Sequence, residues 1–297
     1  MKYIRSKKIT SIILALPIIT FSINVQSSNN DDNSADKNFE LSSKTEFGNK
    51  EVLGNGYIRT YSKFSHDKTP LSIGVEFNKD ALEGLPTVLS DGNACYDIDN
   101  NGDIDRLTEC LPNHEYVLDL PEKIREATAF DWVLINWNPR GHDPDGIYSL
   151  PHFDFHFYIQ SKIERNFIVT GPCPGITNCN VYEKAIADVD PLYMPPAYIN
   201  VKGVESRMGN HLADLASHEF HGKDFTHTFI YGSYDGHITY WEPMITKQFL
   251  ENNSKTCVDI KLPTNYEVSG YYPTIYCMRY LEHSEKYYVS LENFIKR

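Results

Sequence analysis

The chain has 297 residues, 41% of them hydrophobic and 13% aromatic, and a formal net charge of −12. That length suits one large domain or two small ones. The acidic balance argues against a nucleic-acid or anionic-membrane surface and suits divalent cations. No Gly-x-Ser-x-Gly, phosphate-loop, dinucleotide or His-Glu-x-x-His motif occurs, so nucleophilic-serine and nucleotide-cofactor chemistry have no support.

In chain order, Lys2, Arg5, Lys7 and Lys8 precede an apolar run from Ile9 to Ile23, shorter than a typical membrane span. Residues 1–26 read as a signal peptide cleaved between Ser22 and Ser28, with an uncleaved anchor as the competing reading. No Cys follows the run, which argues against a lipoprotein. Losing those four basic residues takes the mature chain from −12 to about −16. Residues 27–50 are rich in Asn, Ser, Asp and Lys; they cannot bury a core and read as a disordered leader. A single β-rich domain is expected over 51–297, in a secreted or periplasmic protein with no membrane partner for the mature chain. Such a compartment favours disulfides. Six cysteines allow fifteen pairings, and local spacing favours Cys95–Cys110, Cys173–Cys179 and Cys257–Cys277.

Runs of aromatic and β-branched residues predict strands over 51–64, 71–77, 115–120, 132–137, 152–160, 225–231, 237–241, 256–262, 274–281 and 286–291. Short helices are predicted over 121–128, 161–166 and 244–250. Turn signals recur at Gly54-Asn55-Gly56, Asn138-Pro139 and Asp235-Gly236, the last as a hairpin turn. The proline-rich stretch 171–208 reads as a long loop closing over one end of the sheet. The predicted fold is mainly β: an antiparallel sandwich or barrel with a few short peripheral helices.

Two segments carry chemistry. The first, Asp97 to Asp105, resembles the calcium loop of EF-hands and of similar loops outside that fold. Asp97, Asp99 and Asn101 fall at positions 1, 3 and 5, Gly102 at the sharp turn, Asp103 at position 7 and Asp105 at position 9. Position 12 is Thr108, with Glu109 one place late, so the usual bidentate ligand is displaced. Cys95 and Cys110 bracket the loop, and a disulfide there would staple its ends.

The second is His152-Phe153-Asp154-Phe155-His156-Phe157. In a strand, alternate side chains share a face. His152, Asp154 and His156 therefore line one face, and Phe153, Phe155 and Phe157 the other, with Ile159 continuing the apolar stripe. Residues at i and i+2 sit about 7 Å apart and those at i and i+4 about 13 Å apart, while a zinc–nitrogen bond is roughly 2 Å. The two strand histidines are thus not expected to share one ion. Asp154 pairs with one of them and is the expected hinge of the constellation. Remaining ligands must come from elsewhere, and His142, His211 and Glu242, each beside turn chemistry, are the candidates. His218, His221 and His227 sit in a simply polar loop.

Several motifs occur together in order: Trp137-Asn138-Pro139-Arg140-Gly141-His142, Gly146-Ile147-Tyr148, Pro151 to Tyr158, Met208-Gly209-Asn210-His211, Phe229-Ile230-Tyr231-Gly232 and Glu242-Pro243-Met244-Ile245-Thr246. In these the chain resembles a bacterial family of uncharacterised, mostly exported proteins, over roughly Gly56 to Leu291. The resemblance implies a β-rich fold and no established reaction. Relative to the family pattern, the loop over 95–110 looks like an insertion.

Two readings of function follow. One is a secreted metal-binding β domain holding zinc or another transition metal at the His/Asp row, with a separate structural calcium. If catalytic, it would be a metal-dependent hydrolase or lyase with a carboxylate as base. The other is a non-catalytic envelope or ligand-binding protein whose His/Asp row is a structural polar network. A homo-oligomer is compatible with either.

Overall fold

The computed structural model describes residues 44–88, 101–103, 113–169 and 179–297. Strands β1 (Lys44–Phe47), β2 (Glu51–Leu53), β3 (Gly56–Phe64) and β4 (Pro70–Asn78) begin a first sheet. The chain then builds a second sheet from β5 (His114–Asp119), β6 (Trp132–Asn138), β7 (His152–Tyr158), β8 (Tyr198–Glu205), β9 (Gly209–Asp214), β10 (His227–Tyr234) and β11 (His237–Thr246). It returns to the first sheet with β12 (Lys255–Asp259), β14 (Ile275–Leu281) and β15 (Lys286–Glu292), while β13 (Tyr271–Tyr272) and β16 (Ile295–Lys296) form a small ribbon. The first sheet runs β1-β3-β4-β15-β14-β12, with β2 also on β3; the second runs β5-β6-β7-β11-β10-β9-β8. All strand pairs are antiparallel. Neither sheet closes on itself, so the fold is a sandwich rather than a barrel. No described helix is long and apolar enough to cross a membrane.

The period-2 alternation of β7 explains how the sheets pack. Phe153, Phe155 and Phe157 enter the main core with Ile73, Val75, Val289 and Leu291 of the opposite sheet. Phe77 of β4 lies against Phe153 and Phe155, with ring centroids 6.3 and 6.4 Å apart. The polar residues of β7 therefore project from the far side of the second sheet, away from the sandwich interior.

Several expectations need correction. β1 lies upstream of the expected start at Glu51 and pairs with β3. The predicted strand over 51–64 is a hairpin broken at Gly54, whose φ of +52° suits the turn. The proline-rich 171–208 is not all loop: it contains a helix, Cys179–Ala185, and strand β8. β8 is an exposed edge with a bulge between Asn200 and Gly203, so it shows little apolar alternation. β11 does not stop at Trp241 but runs through Pro243 to Thr246, and the helix predicted over 244–250 forms at Lys247–Asn252. Pro243 keeps its register with Phe229 of β10, while the β7 ladder is recorded only on either side of Glu242 and Pro243. A proline has no N–H to offer that side.

The turn at Asp235-Gly236 is where the sequence places it, with φ of 54° and 82°. Cys257 and Cys277 face each other across β12 and β14 and form a disulfide. Cys95, Cys110 and Cys173 lie outside the described residues, and with them the other two pairings.

Glu76, on the outer side of the first sheet, is buried among opposite charges. It takes hydrogen bonds from Arg59, Tyr57 and Tyr288, and Lys286 Nζ lies 3.3 Å away. Burial pushes its carboxyl up, but Arg59, Lys286 and the two phenols outweigh that and hold it below its ordinary value. A depressed carboxylate stabilises the fold above its unfolded pKa and loses that contribution as pH falls through the folded one. Glu76→Gln is expected to cost about 2–3 kcal/mol near neutrality, with the gap to wild type narrowing below about pH 4. Urea unfolding at several pH values checks this; a gap constant down to strong acid would contradict it.

Candidate metal centre

The polar face of β7 forms the floor of a cavity of about 450 Å³ on the outer side of the second sheet. Its lining includes His142, Asp154, His156, His211 and Glu242. Together with His152, the six candidate ligands form two groups that could hold a metal ion: His142, His152 and Asp154, and His156, His211 and Glu242. Within each group one ligand atom from every member lies within 4.8 Å of the others.

The first group is built from β7 and the loop before it. Gly141, at φ +72°, turns the chain where a Cβ would stand 2.1 Å from the Tyr148 carbonyl. The same turn is tied by the His142 N–H to the Tyr148 carbonyl, 3.1 Å. His142 thereby reaches over β7, its ring centroid 4.7 Å from that of His152. His152 Nε2 stands 3.1 Å from Asp154 Oδ1, and His142 Nε2 stands 3.5 Å from Oδ2. Asn138 of β6 donates its side-chain N–H to the same Oδ2 at 2.6 Å. Asn138 thus belongs to the candidate site, which its sequence context, a turn before proline, did not reveal. Tyr148 and Phe225 pack around the two imidazoles.

The second group spans three strands. His156 Nε2 lies 3.3 Å from Glu242 Oε1. The β7–β11 register on either side of the Pro243 break places these residues opposite each other. His211 comes from β9, beyond β10, opposite Gly232. A Cβ at Gly232 would stand 2.0 Å from the Tyr240 ring, so the glycine gives that ring its place over the sheet. Tyr240 packs 4.8 Å from His156 and 5.9 Å from His211, centroid to centroid.

Asp154 therefore belongs to one group and is not the hinge between both strand histidines. His156 instead meets its cross-strand neighbour Glu242, at 3.3 Å, as directly opposed residues on one face of a sheet approach to about 5 Å.

A single pattern runs through both groups. His142, His152, His156 and His211 each place Nδ1 against a backbone carbonyl: Asp143 at 2.7 Å, Leu150 at 2.6 Å, Leu134 at 3.3 Å and Gly203 at 2.7 Å. A carbonyl only accepts, so each Nδ1 carries the hydrogen and, in the neutral ring, Nε2 is left with its lone pair. Meanwhile His152 Nε2, Asp154 Oδ1 and Glu242 Oε2 are buried and make no hydrogen bond.

Electrostatics differ between the groups. Burial would lower the His142 pKa, but the hydrogen bond and charge of Asp154, with Glu205 and the Asp143 carbonyl, raise it to about 9. Burial would raise Asp154, but His152 and His142 overcome it and its carboxyl is lowered. In the second group, burial pushes His156 down to about 3, with His211 and Arg165 adding to it against the pull of Asp154. Burial, with the charges of Asp154 and Glu205, drives Glu242 well above the usual carboxylate range. Glu205 at the end of β8 also lines the cavity; it lay in the stretch expected to be a loop and carried no motif.

Of the acidic loop, only Asn101, Gly102 and Asp103 are described. The Asn101 side chain accepts from the Asp103 N–H at 2.8 Å, and Gly102 has φ +88°. Asp97, Asp99, Asp105 and Glu109 lie outside the described residues. His227 bonds the Tyr276 hydroxyl through Nδ1 at 2.8 Å and is not part of the cavity lining. No family model, no curated protein and no solved structure matches this chain.

Proposed function

We propose that the protein is an exported metal-dependent enzyme of the hydrolase or lyase kind, with a transition-metal ion, zinc first among candidates, in the cavity on the second sheet. One observation carries this reading. All four histidines of the two groups fix Nδ1–H on a backbone carbonyl, and His142, His152 and His156 bring Nε2 within 3.5 Å of Asp154 or Glu242, each of which keeps one buried oxygen without a donor. Metal-binding imidazoles are oriented in this way by their other nitrogen. A network built only to stiffen a sheet would leave no buried carboxylate oxygen without a donor.

Two histidines and one carboxylate per group suit zinc or a related ion and leave coordination positions open. When bound, such an ion supplies Lewis acidity and brings the pKa of its water to about 7. The chain's own residues hold and orient the site. Asn138 fixes Asp154, Met208, Ile230 and Met244 wall the cavity, and Glu205 and Asp143, outside both groups, are carboxylates available as base. The Cys257–Cys277 disulfide fits an oxidising compartment, as does the signal sequence, and the order of motifs supports membership of the exported family that the chain resembles.

Elemental analysis of protein from its native compartment should find at least one equivalent of transition metal. Chelation should lower Tm, since an ion bound only to the native state stabilises it. Protein that carries no metal, takes up no zinc and melts unchanged would sink the proposal and leave the structural network of a non-catalytic envelope or binding protein.

We also propose a structural calcium ion in the Asp97–Asp105 loop. Free calcium at about 100 times Kd should then add about 2.7 kcal/mol of stability, and Asp97→Ala with Asp99→Ala should remove the gain. Identical melting in calcium and in chelator would refute it.

A further inference from the structure

We infer that the cavity holds two divalent ions, one in each His/His/carboxylate group, and that together they form one centre for an oxyanion carried by the ligand. The inference rests on the metal-binding reading above and goes beyond it in stoichiometry and ligand class.

One ion cannot use all six residues. The ligand atoms cluster within 4.8 Å only inside each group. An ion reached by bonds of roughly 2 Å needs ligand atoms within about 4–5 Å of one another.

Neither group is merely a support for the other. Each has its own carboxylate, its own two carbonyl-anchored imidazoles and its own orphaned carboxylate oxygen, Asp154 Oδ1 in one and Glu242 Oε2 in the other. Were only the first group filled, Glu242 and His156 would stay almost fully buried, at 1% exposure each, with Oε2 unpartnered. A buried polar group without a partner is costly to keep, and a second cation removes that cost.

Charge then selects the ligand. Two dications against the carboxylates of Asp154 and Glu242 leave the two ligand groups together at +2; Glu205 and the solvent-exposed Asp143 also line the cavity but belong to neither group. Among the described residues no Lys or Arg side chain lines the cavity, so the ions would be the main source of positive charge for an anion there. With two ions in place, a neutral ligand would leave the +2 of the ligand groups with no counter-charge bound to the ions. A phosphoryl or carboxyl oxyanion balances it and can reach both ions, because both groups open on the same cavity of about 450 Å³. That volume falls within the range of small-molecule sites.

The test titrates chelator-stripped full chain with Co²⁺, followed by visible absorption. Wild type should saturate at two equivalents. His142→Ala and His211→Ala are less buried than their partner histidines. Each should stop at one, with an unchanged circular dichroism spectrum to show that it folds. Inorganic phosphate and acetate are then the probes. At least one should perturb the two-ion spectrum with Kd at least tenfold lower than for either one-ion variant, and the tighter of the two distinguishes the phosphoryl from the carboxyl class. Saturation of wild type at one equivalent would overturn the two-ion centre while leaving the metal-dependent reading intact; no uptake at all would overturn both. Two equivalents with neither anion perturbing the spectrum would overturn the oxyanion assignment.

Discussion

Asp154→Ala is expected to weaken zinc binding in the His142/His152 group by about a thousandfold. Zinc held by a full ligand set in small zinc domains is worth about 10–16 kcal/mol, so one ligand's share is about 4 kcal/mol, or three decades in affinity. Asp154 is the only carboxylate of its group and touches both of its histidines, at 3.1 and 3.5 Å. Its removal leaves two neutral imidazoles and no negative charge against the ion. Affinity in the His156/His211/Glu242 group should fall far less, since Glu242 supplies its own charge there. Competition titrations with a chromophoric chelator on wild type and variant measure the difference. Equal loss in both groups, or none in either, would contradict the division of ligands. Asp154→Asn should fall between, keeping the shape that Asn138 holds but losing the charge.

Phe155→Ala is expected to destabilise the fold by about 4 kcal/mol while leaving the metal nearly untouched. Phe155 is fully buried on the opposite face of the same strand and meets Phe77 of the other sheet. Emptying such a site costs about 3–5 kcal/mol, which for a domain of this size is roughly 8–16 °C in Tm. The adjacent residues Asp154 and His156 point the other way, so zinc affinity should change by less than tenfold. Thermal melting and the same chelator competition check both parts. If Phe155→Ala lost metal as severely as Asp154→Ala, the strand would not be the rigid support that its sandwiched position suggests.

The alternation from His152 to Phe157 was legible because a strand buried on one face must repeat every second residue, and no other periodicity fits that run. The remaining candidates, His142, His211 and Glu242, were also legible, as ligand-type side chains beside turns. Their division into two groups was not. It depends on β11 lying next to β7 with Glu242 opposite His156, a fact of pairing between segments far apart in the chain. The continuation of β11 past Pro243 was hidden because proline ordinarily ends a central strand. β8, and with it Glu205, was hidden because an edge strand exposed to water has little reason to alternate. Asn138 looked like turn chemistry, and only the β6–β7 register shows that it sits opposite His152, one step from the carboxylate it holds.

The four imidazoles take their orientation from main-chain carbonyls of Leu134, Asp143, Leu150 and Gly203. Any amino acid carries a carbonyl, so the side chains at Asp143, Leu150 and Gly203 are free to drift without disturbing the rings, whereas Leu134 is held by the buried cluster it packs in. Among diverging relatives, the ligands should stand as isolated fixed points amid variable neighbours. A scan that replaces side chains one at a time would pass over the anchors. What would expose them is a change to the backbone itself, such as an ester in place of the amide between Gly203 and Val204, which weakens the acceptor and loosens one imidazole while every side chain stays as it was.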